Sequence, residues 1–223
     1  MAFPFQIVGF DLDGTLLDTS GDLTAAVNVA LAEAGRQPLT VEQVKPMIGG
    51  GAKHMLMQTL DATGGCNDDE AKRLYKLMLG YYETHLSVHT QPFPGMLEAL
   101  DALEAHGCRV GVVTNKFESF AVQLLRDLNI LDRFETVIGG DTLGRGNAKP
   151  SAAPIHELVS RLGGGSAAFV GDSIYDMQAA RNAGVPSVAV SFGFLLHSLE
   201  EMRADAVIDG FDELVSALER LGG

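Results

Sequence analysis

The chain has 223 residues, 46% of them apolar and 20% charged, which fits a globular protein with a sizeable core and excludes a mini-protein or a disordered chain. A formal net charge of −13 without any basic run argues against a nucleic-acid partner, yet a few placed cations and a metal can still make one pocket attractive to a small anion. Cys66 and Cys108 offer neither a disulfide framework nor metal-ligand spacing, and read as reduced residues of a cytoplasmic protein.

The first predicted strand is Gln6 to Phe10, apolar at consecutive positions as in a buried parallel strand. The apolar start from Phe3 has no preceding Lys or Arg and meets Asp11 too soon for a signal peptide. No segment reaches the roughly 18 apolar residues of a membrane span, so no membrane partner is expected. Directly after the strand stands Asp11-Leu12-Asp13-Gly14-Thr15.

From residue 18 to residue 90 only helical periodicity follows, as in Leu23, Val27, Ala30, Leu31, Ala34 and later Leu74, Leu77, Met78, Tyr81, Tyr82. Within this block Gly49-Gly50-Gly51-Ala52-Lys53 lacks the Gly-Lys-Ser/Thr ending of a nucleotide loop. It reads as a loop facing the substrate or as a plain helix-breaking turn. Lys53 would meet a substrate carboxylate or simply be solvated, and His54 reads as a surface or packing residue. The block exits through Gln91-Pro92-Phe93-Pro94-Gly95, which suits a hinge or linker.

Beyond it, strand and helix alternate. A helix is predicted over Met96 to His106, a strand over Arg109 to Val113 followed by Thr114-Asn115-Lys116, and a helix over Phe117 to Leu128. A strand over Phe134 to Ile138 precedes the pair Lys149-Pro150 and a helix over Ala152 to Leu162, which Gly163 to Gly165 link to the next strand. The strand Ala167 to Val170 runs into Gly171-Asp172-Ser173-Ile174-Tyr175-Asp176, a helix follows over Tyr175 to Ala183, and a last strand covers Ser187 to Val190.

Ligands of an open parallel sheet bind beyond the carboxyl ends of its strands. One rim would therefore gather the carboxylates of Asp11, Asp13, Asp172 and Asp176 with the Thr114 hydroxyl, the Asn115 amide and Lys149. Unrelieved, these carboxylates would raise one another's pKa values. An oxygen-only ligand set suits Mg²⁺, and the absence of His and Cys from the motifs argues against zinc. Asp11 and Asp13, two residues apart where the chain leaves the strand, permit one carboxylate to attack and the other to move protons.

With these four blocks the sequence closely resembles the haloacid-dehalogenase-like hydrolase superfamily over essentially its whole length: D-L-D-G-T at 11–15, V-V-T-N-K at 112–116, Lys149 before Pro150, and G-D-S-I-Y-D at 171–176. The resemblance implies an α/β fold, a Rossmann-like parallel sheet core (residues 1–17 and 91–223) with an inserted helical cap domain (18–90). It implies Asp11 as nucleophile and metal ligand, and Asp13 as general acid and base with its carbonyl on the metal. Thr114 and Lys149 would bind the phosphoryl group, with the Asn115 backbone amide near it. Asp172 would ligate Mg²⁺, and Asp176 would support the metal directly or through water.

Dehalogenases and phosphonate-cleaving members lack the second Asp, so Asp13 points to a phosphoester with an oxygen leaving group. Among the phosphatases the similarity is greatest to the bacterial phosphoglycolate phosphatase family, through Ile48 to Ala52, Ala189 to Phe194 and Ala204 to Asp209. The expected activity is hydrolysis of a small phosphomonoester such as 2-phosphoglycolate, with Gly49, Gly50, Gly51 and Lys53 as cap residues reading the rest of the substrate. Residues 144–148 and Ser151-Ala152-Ala153 depart from the Lys-Pro-Asp-Pro pattern common in such enzymes. A phosphosugar mutase of the same cap type is the nearest enzymatic alternative. A non-catalytic receiver-like module is the alternative of another class, although receivers are about half this length and lack the helical insertion.

Overall fold

A computed structural model describes residues 3–195 and 197–223. Among these residues eight strands run in chain order as β1 (Ile7–Phe10), β2 (Leu17–Asp18), β3 (Gln91–Pro92), β4 (Arg109–Val113), β5 (Thr136–Ile138), β6 (Ala167–Gly171), β7 (Ser187–Val190) and β8 (Ala206–Ile208). Six of them form one parallel sheet in the order β5-β4-β1-β6-β7-β8. After β1 the chain builds outward on one side through β4 and β5, then crosses to build β6, β7 and β8 on the other. The carboxyl ends of β1, β4 and β6 therefore flank the point where the winding reverses, the usual ligand crevice of such sheets.

The apolar runs explain the sheet. β1 and β7 are buried at every position, and β6 is as well. Helices cover both faces, which consecutive apolar residues require. Register then sets the functional residues level with one another: Phe10 pairs with Val112 on one side and Val170 on the other, so Asp11, Thr114 and Asp172 all emerge just past the same row.

Helices α1 (Ser20–Glu33), α2 (Val41–Val44), α3 (Ala52–Ala62) and α4 (Asp68–Glu83) fill the interval between β2 and β3. The predicted apolar residues Leu23, Val27, Ala30 and Leu31 of α1 are buried against this group. In α4 the buried stripe is Leu74, Met78 and Tyr82, a strict four-residue repeat that leaves Leu77 exposed and Tyr81 only partly covered. Asn67 caps α4, its side chain accepting from the N–H groups of Asp69 and Glu70, and three acidic residues occupy the first turn. β2 and β3 pair antiparallel, Leu17 with Pro92 and Asp18 with Gln91, so the proline-rich exit segment lies beside the entry segment.

The remaining helices are α5 (Met96–Ala105), α6 (Glu118–Asp127), α7 (Ala153–Arg161), α8 (Ile174–Ala183), α9 (Leu199–Met202) and α10 (Leu214–Leu221). Four match the predicted helices to within two residues at either end. The strand expected from Phe134 begins at Thr136, because Leu131–Arg133 form a short 3-10 turn that Phe134 ends. No described helix is long and apolar enough to cross a membrane.

Candidate active site

Asp11 follows β1 directly, and its N–H donates to the Val170 carbonyl at 2.9 Å, extending the sheet by one residue into the crevice. Its side chain is buried, and Lys149 Nζ stands 2.7 Å from Oδ1 as an ion pair. The same ammonium lies 2.6 Å from Asp176 Oδ1 and donates to the Val113 carbonyl at 2.8 Å. Asp176 sits in the first turn of α8, where its other oxygen accepts from the Ser173 N–H at 3.0 Å and from the Ser173 hydroxyl. The helix start thus orients Asp176 as a cap orients its helix.

Asp172 is buried beside them. Its Oδ2 accepts from the Phe194 N–H at 2.8 Å, while Oδ1 has a long contact of 3.4 Å from the Thr15 hydroxyl. A methyl group at Gly14, whose φ is +87°, would come within 2.2 Å of Asp172 Oδ2. The glycine of the Asp-Gly-Thr block is therefore required both by backbone conformation and by close approach.

Asp11, Asp172 and Asp176 each present a carboxylate oxygen, all within 4.8 Å of one another. Burial pushes the Asp11 carboxyl up to about 7; Lys149 pulls the other way, and Asp176 and Asp13 add to the rise. Asp172 is held well above the usual carboxylate range, first by burial and then by the charges of Asp11 and Asp176. Burial works against the Lys149 charge, but Asp11 and Asp176 outweigh it and raise its pKa. One ammonium thus faces three crowded carboxylates, and Asp172 has no cation of its own among the described residues. This all-oxygen cluster, with more carboxylates than cations, fits a hard divalent cation such as Mg²⁺.

The carboxylate of Asp13 is not part of that cluster. Its Oδ1 accepts from the Thr19 hydroxyl at 2.7 Å, and its Oδ2 pairs with Lys116 Nζ at 2.9 Å. Lys116 is buried, donates to the Tyr82 hydroxyl at 2.9 Å, and lies 4.8 Å from the centre of that ring. Desolvation opposes the Lys116 charge, yet Asp13 and Tyr82 raise its pKa, while burial pushes the Tyr82 phenol up to about 12.

A cavity of about 230 Å³ opens above these groups. Asp11, Asp13, Thr114, Asn115 and Lys149 line it from the sheet, and Gly49, Gly50, Gly51 and Lys53 from the helical insertion. The eight anticipated residues outside the carboxylate cluster thus meet at one cavity, which Asp11 of the cluster also lines. Asn115 ties the two sides together: its side-chain amide donates to the Gly49 carbonyl at 3.1 Å and to the Lys149 carbonyl at 3.2 Å. His54 packs edge-on against Tyr175 at 6.4 Å between ring centres, the packing position expected of it. Lys53 is exposed at the cavity rim.

Lys116 and Tyr82 were not singled out from the sequence as site residues. Lys116 offered a signal, a lysine directly behind Thr-Asn at a strand end. Tyr82 offered none, because its partner lies 34 residues away.

Residues 8–190 match the family described as haloacid dehalogenase-like hydrolase. The phosphoglycolate phosphatase of Agrobacterium fabrum is 37% identical over 94% of this chain and 90% of its own length. That of Rhodospirillum rubrum is 39% identical over 94% and 89%. A crystal structure described as a predicted phosphoglycolate phosphatase from Haemophilus somnus superposes with a TM-score of 0.87 at 29% identity, covering 96% of this chain and 97% of the other. Motifs, sheet order and these likenesses agree: the chain belongs to the haloacid dehalogenase-like hydrolases.

Proposed function

We propose that the chain hydrolyses small phosphomonoesters, 2-phosphoglycolate foremost, through an aspartyl-phosphate on Asp11 and with Mg²⁺ as cofactor. One observation carries the reading: Asp11 faces Lys149 at 2.7 Å while sharing a buried patch with Asp172 and Asp176, their oxygens within 4.8 Å. That arrangement has a carboxylate to attack phosphorus and surplus negative charge to hold a cation. Asp11, Asp172 and Asp176, with the Asp13 carbonyl, would hold the ion, which when bound supplies positive charge against the phosphoryl oxygens.

In the first step an Asp11 oxygen bonds to phosphorus, the ester P–O bond breaks, and Asp13 gives its proton to the departing oxygen. Lys149 and Thr114 bind the phosphoryl oxygens during transfer. In the second step water attacks phosphorus, Asp13 takes its proton, and the Asp11 carboxylate returns with release of phosphate.

Residues 18–90 act as a cap over a core formed by 1–17 and 91–223. The core contacts are common to every phosphomonoester, so the cap selects the substrate. A cavity of about 230 Å³ suits a short ester, and the amides of Gly49 to Gly51 with Lys53 offer donors for a carboxylate. The phosphoglycolate phosphatases among its relatives supply the choice of that substrate. With reduced cysteines the reading is of a cytoplasmic enzyme.

The test is kcat/KM with Mg²⁺ across phosphoglycolate, hexose phosphates, nucleotides and pyridoxal phosphate, with sugar isomers followed beside free phosphate. Phosphoglycolate should rank first. A flat ranking would remove it, and isomer formation from a hexose 1-phosphate would turn the reading to a mutase.

A further inference from the structure

Asp13 is fixed from two directions that differ in origin. Thr19, six residues away in sequence, donates to one oxygen at 2.7 Å. Lys116 takes the other at 2.9 Å, and its second partner, the Tyr82 hydroxyl at 2.9 Å, belongs to α4 of the helical insertion. Among the described residues these two are the Lys116 ammonium's partners, and all three side chains are largely shielded from water. Burial keeps the phenol neutral, so its oxygen is free to accept from the ammonium. The Tyr82 ring is itself held by the edge of Phe120 at 5.8 Å and by the buried stripe of α4.

We propose that Tyr82 is a positioning residue for proton transfer: through Lys116 its hydroxyl sets the Asp13 carboxyl, so that the leaving oxygen receives its proton only when the helical insertion is seated on the sheet. The proposal rests on the reading of Asp13 as general acid. A buried lysine has three N–H groups and no competing water, so deleting the phenolic oxygen lets the ammonium re-aim, and the carboxyl paired with it moves too. The insertion would thereby reach the chemistry as well as the choice of substrate, since an open state withdraws Tyr82 and leaves the acid loosely held.

The step at issue is specific. With ethyl phosphate the Asp11 oxygen bonds to phosphorus, the ester P–O bond breaks, and the Asp13 proton goes to the departing oxygen to give ethanol. With acetyl phosphate, a molecule of similar size, the same bonds form and break but acetate leaves as a stable anion and takes no proton. kcat/KM reports only the steps through leaving-group departure, so later hydrolysis of the phospho-enzyme does not enter it.

The experiment measures kcat/KM for both compounds in the full chain with Mg²⁺, for wild type, Tyr82→Phe, Lys116→Met and Asp13→Asn. The ethyl-to-acetyl ratio should fall about tenfold or more in Tyr82→Phe and further in Lys116→Met and Asp13→Asn, as expected when a general acid is misplaced or removed. Tyr82→Phe keeps the ring that packs on Phe120, and it decides the matter if Lys116→Met fails to fold. An unchanged ratio in Tyr82→Phe beside a lowered one in Asp13→Asn would overturn the proposal and leave the reading of Asp13 intact. An unchanged ratio in Asp13→Asn would overturn both.

Discussion

The carboxylate of Asp22 accepts from both the N–H and the hydroxyl of Thr90, at 2.9 and 2.7 Å. It also accepts from the His89 N–H at 3.0 Å. Asp22 lies in the first turn of α1 and Thr90 immediately precedes β3, so one buried carboxylate staples the entry of the helical insertion to its exit. Asp22→Ala should destabilise the protein by about 2–4 kcal/mol, the range for losing charged hydrogen bonds and stranding buried donors. Urea unfolding measures this, and a loss under about 0.5 kcal/mol, the usual bound for a neutral surface site, would contradict the staple.

Asp11 gives the metal-free protein a pH dependence of definite sign. Its folded pKa of about 7 lies above the ordinary 3.8, so between those values the folded state holds the proton more tightly than the unfolded one. The contribution to stability is full below about pH 4 and is lost as pH rises toward 7. Asp11→Asn cannot ionise and escapes this loss. In chelator, the unfolding free energy of Asp11→Asn minus that of wild type should grow from pH 5 to pH 8 by a few kcal/mol, at ~1.4 kcal/mol per pKa unit. A constant difference would contradict the assigned environment.

The carboxylate cluster predicts a thermal response that needs no turnover. Mg²⁺ should raise the Tm of wild type, and raise it more at pH 8 than at pH 5, because it binds the ionised form. Asp172→Ala should lose most of that response. An equal Mg²⁺ shift in the variant would exclude Asp172 from the metal site.

Lys53 tests the cap's part in substrate choice. Lys53→Ala should lower kcat/KM for phosphoglycolate at least tenfold more than for ethyl phosphate, if one charge-assisted bond worth roughly 1.5–3 kcal/mol is lost. Equal losses would assign the carboxylate to other donors.

Much of this arrangement was legible because strands buried on both faces must be apolar without interruption. Such runs point to their own ends, and so to Asp11, Thr114 and Asp172. The three-residue β8 and the two-residue β2 and β3 are too short to produce any periodicity. Ala204 to Asp209 accordingly stood out as a family resemblance rather than as a strand. Leu77 and Tyr81 lie within one turn of the stripe on α4, and only the packing partner decides which side of that turn is covered. Asp22 with Thr90 and Lys116 with Tyr82 are separated by 68 and 34 residues, so their meeting depends on how the insertion sits against the sheet.

The central claim, covalent transfer to Asp11, is tested most directly by rapid acid quench of the enzyme during turnover of phosphorus-labelled phosphoglycolate with Mg²⁺, followed by peptide mapping. The account predicts an acid-stable, hydroxylamine-labile phosphate on the peptide containing Asp11, absent from Asp11→Asn. Catalytic turnover without label on that peptide at any quench time, or with label on another residue, would contradict it.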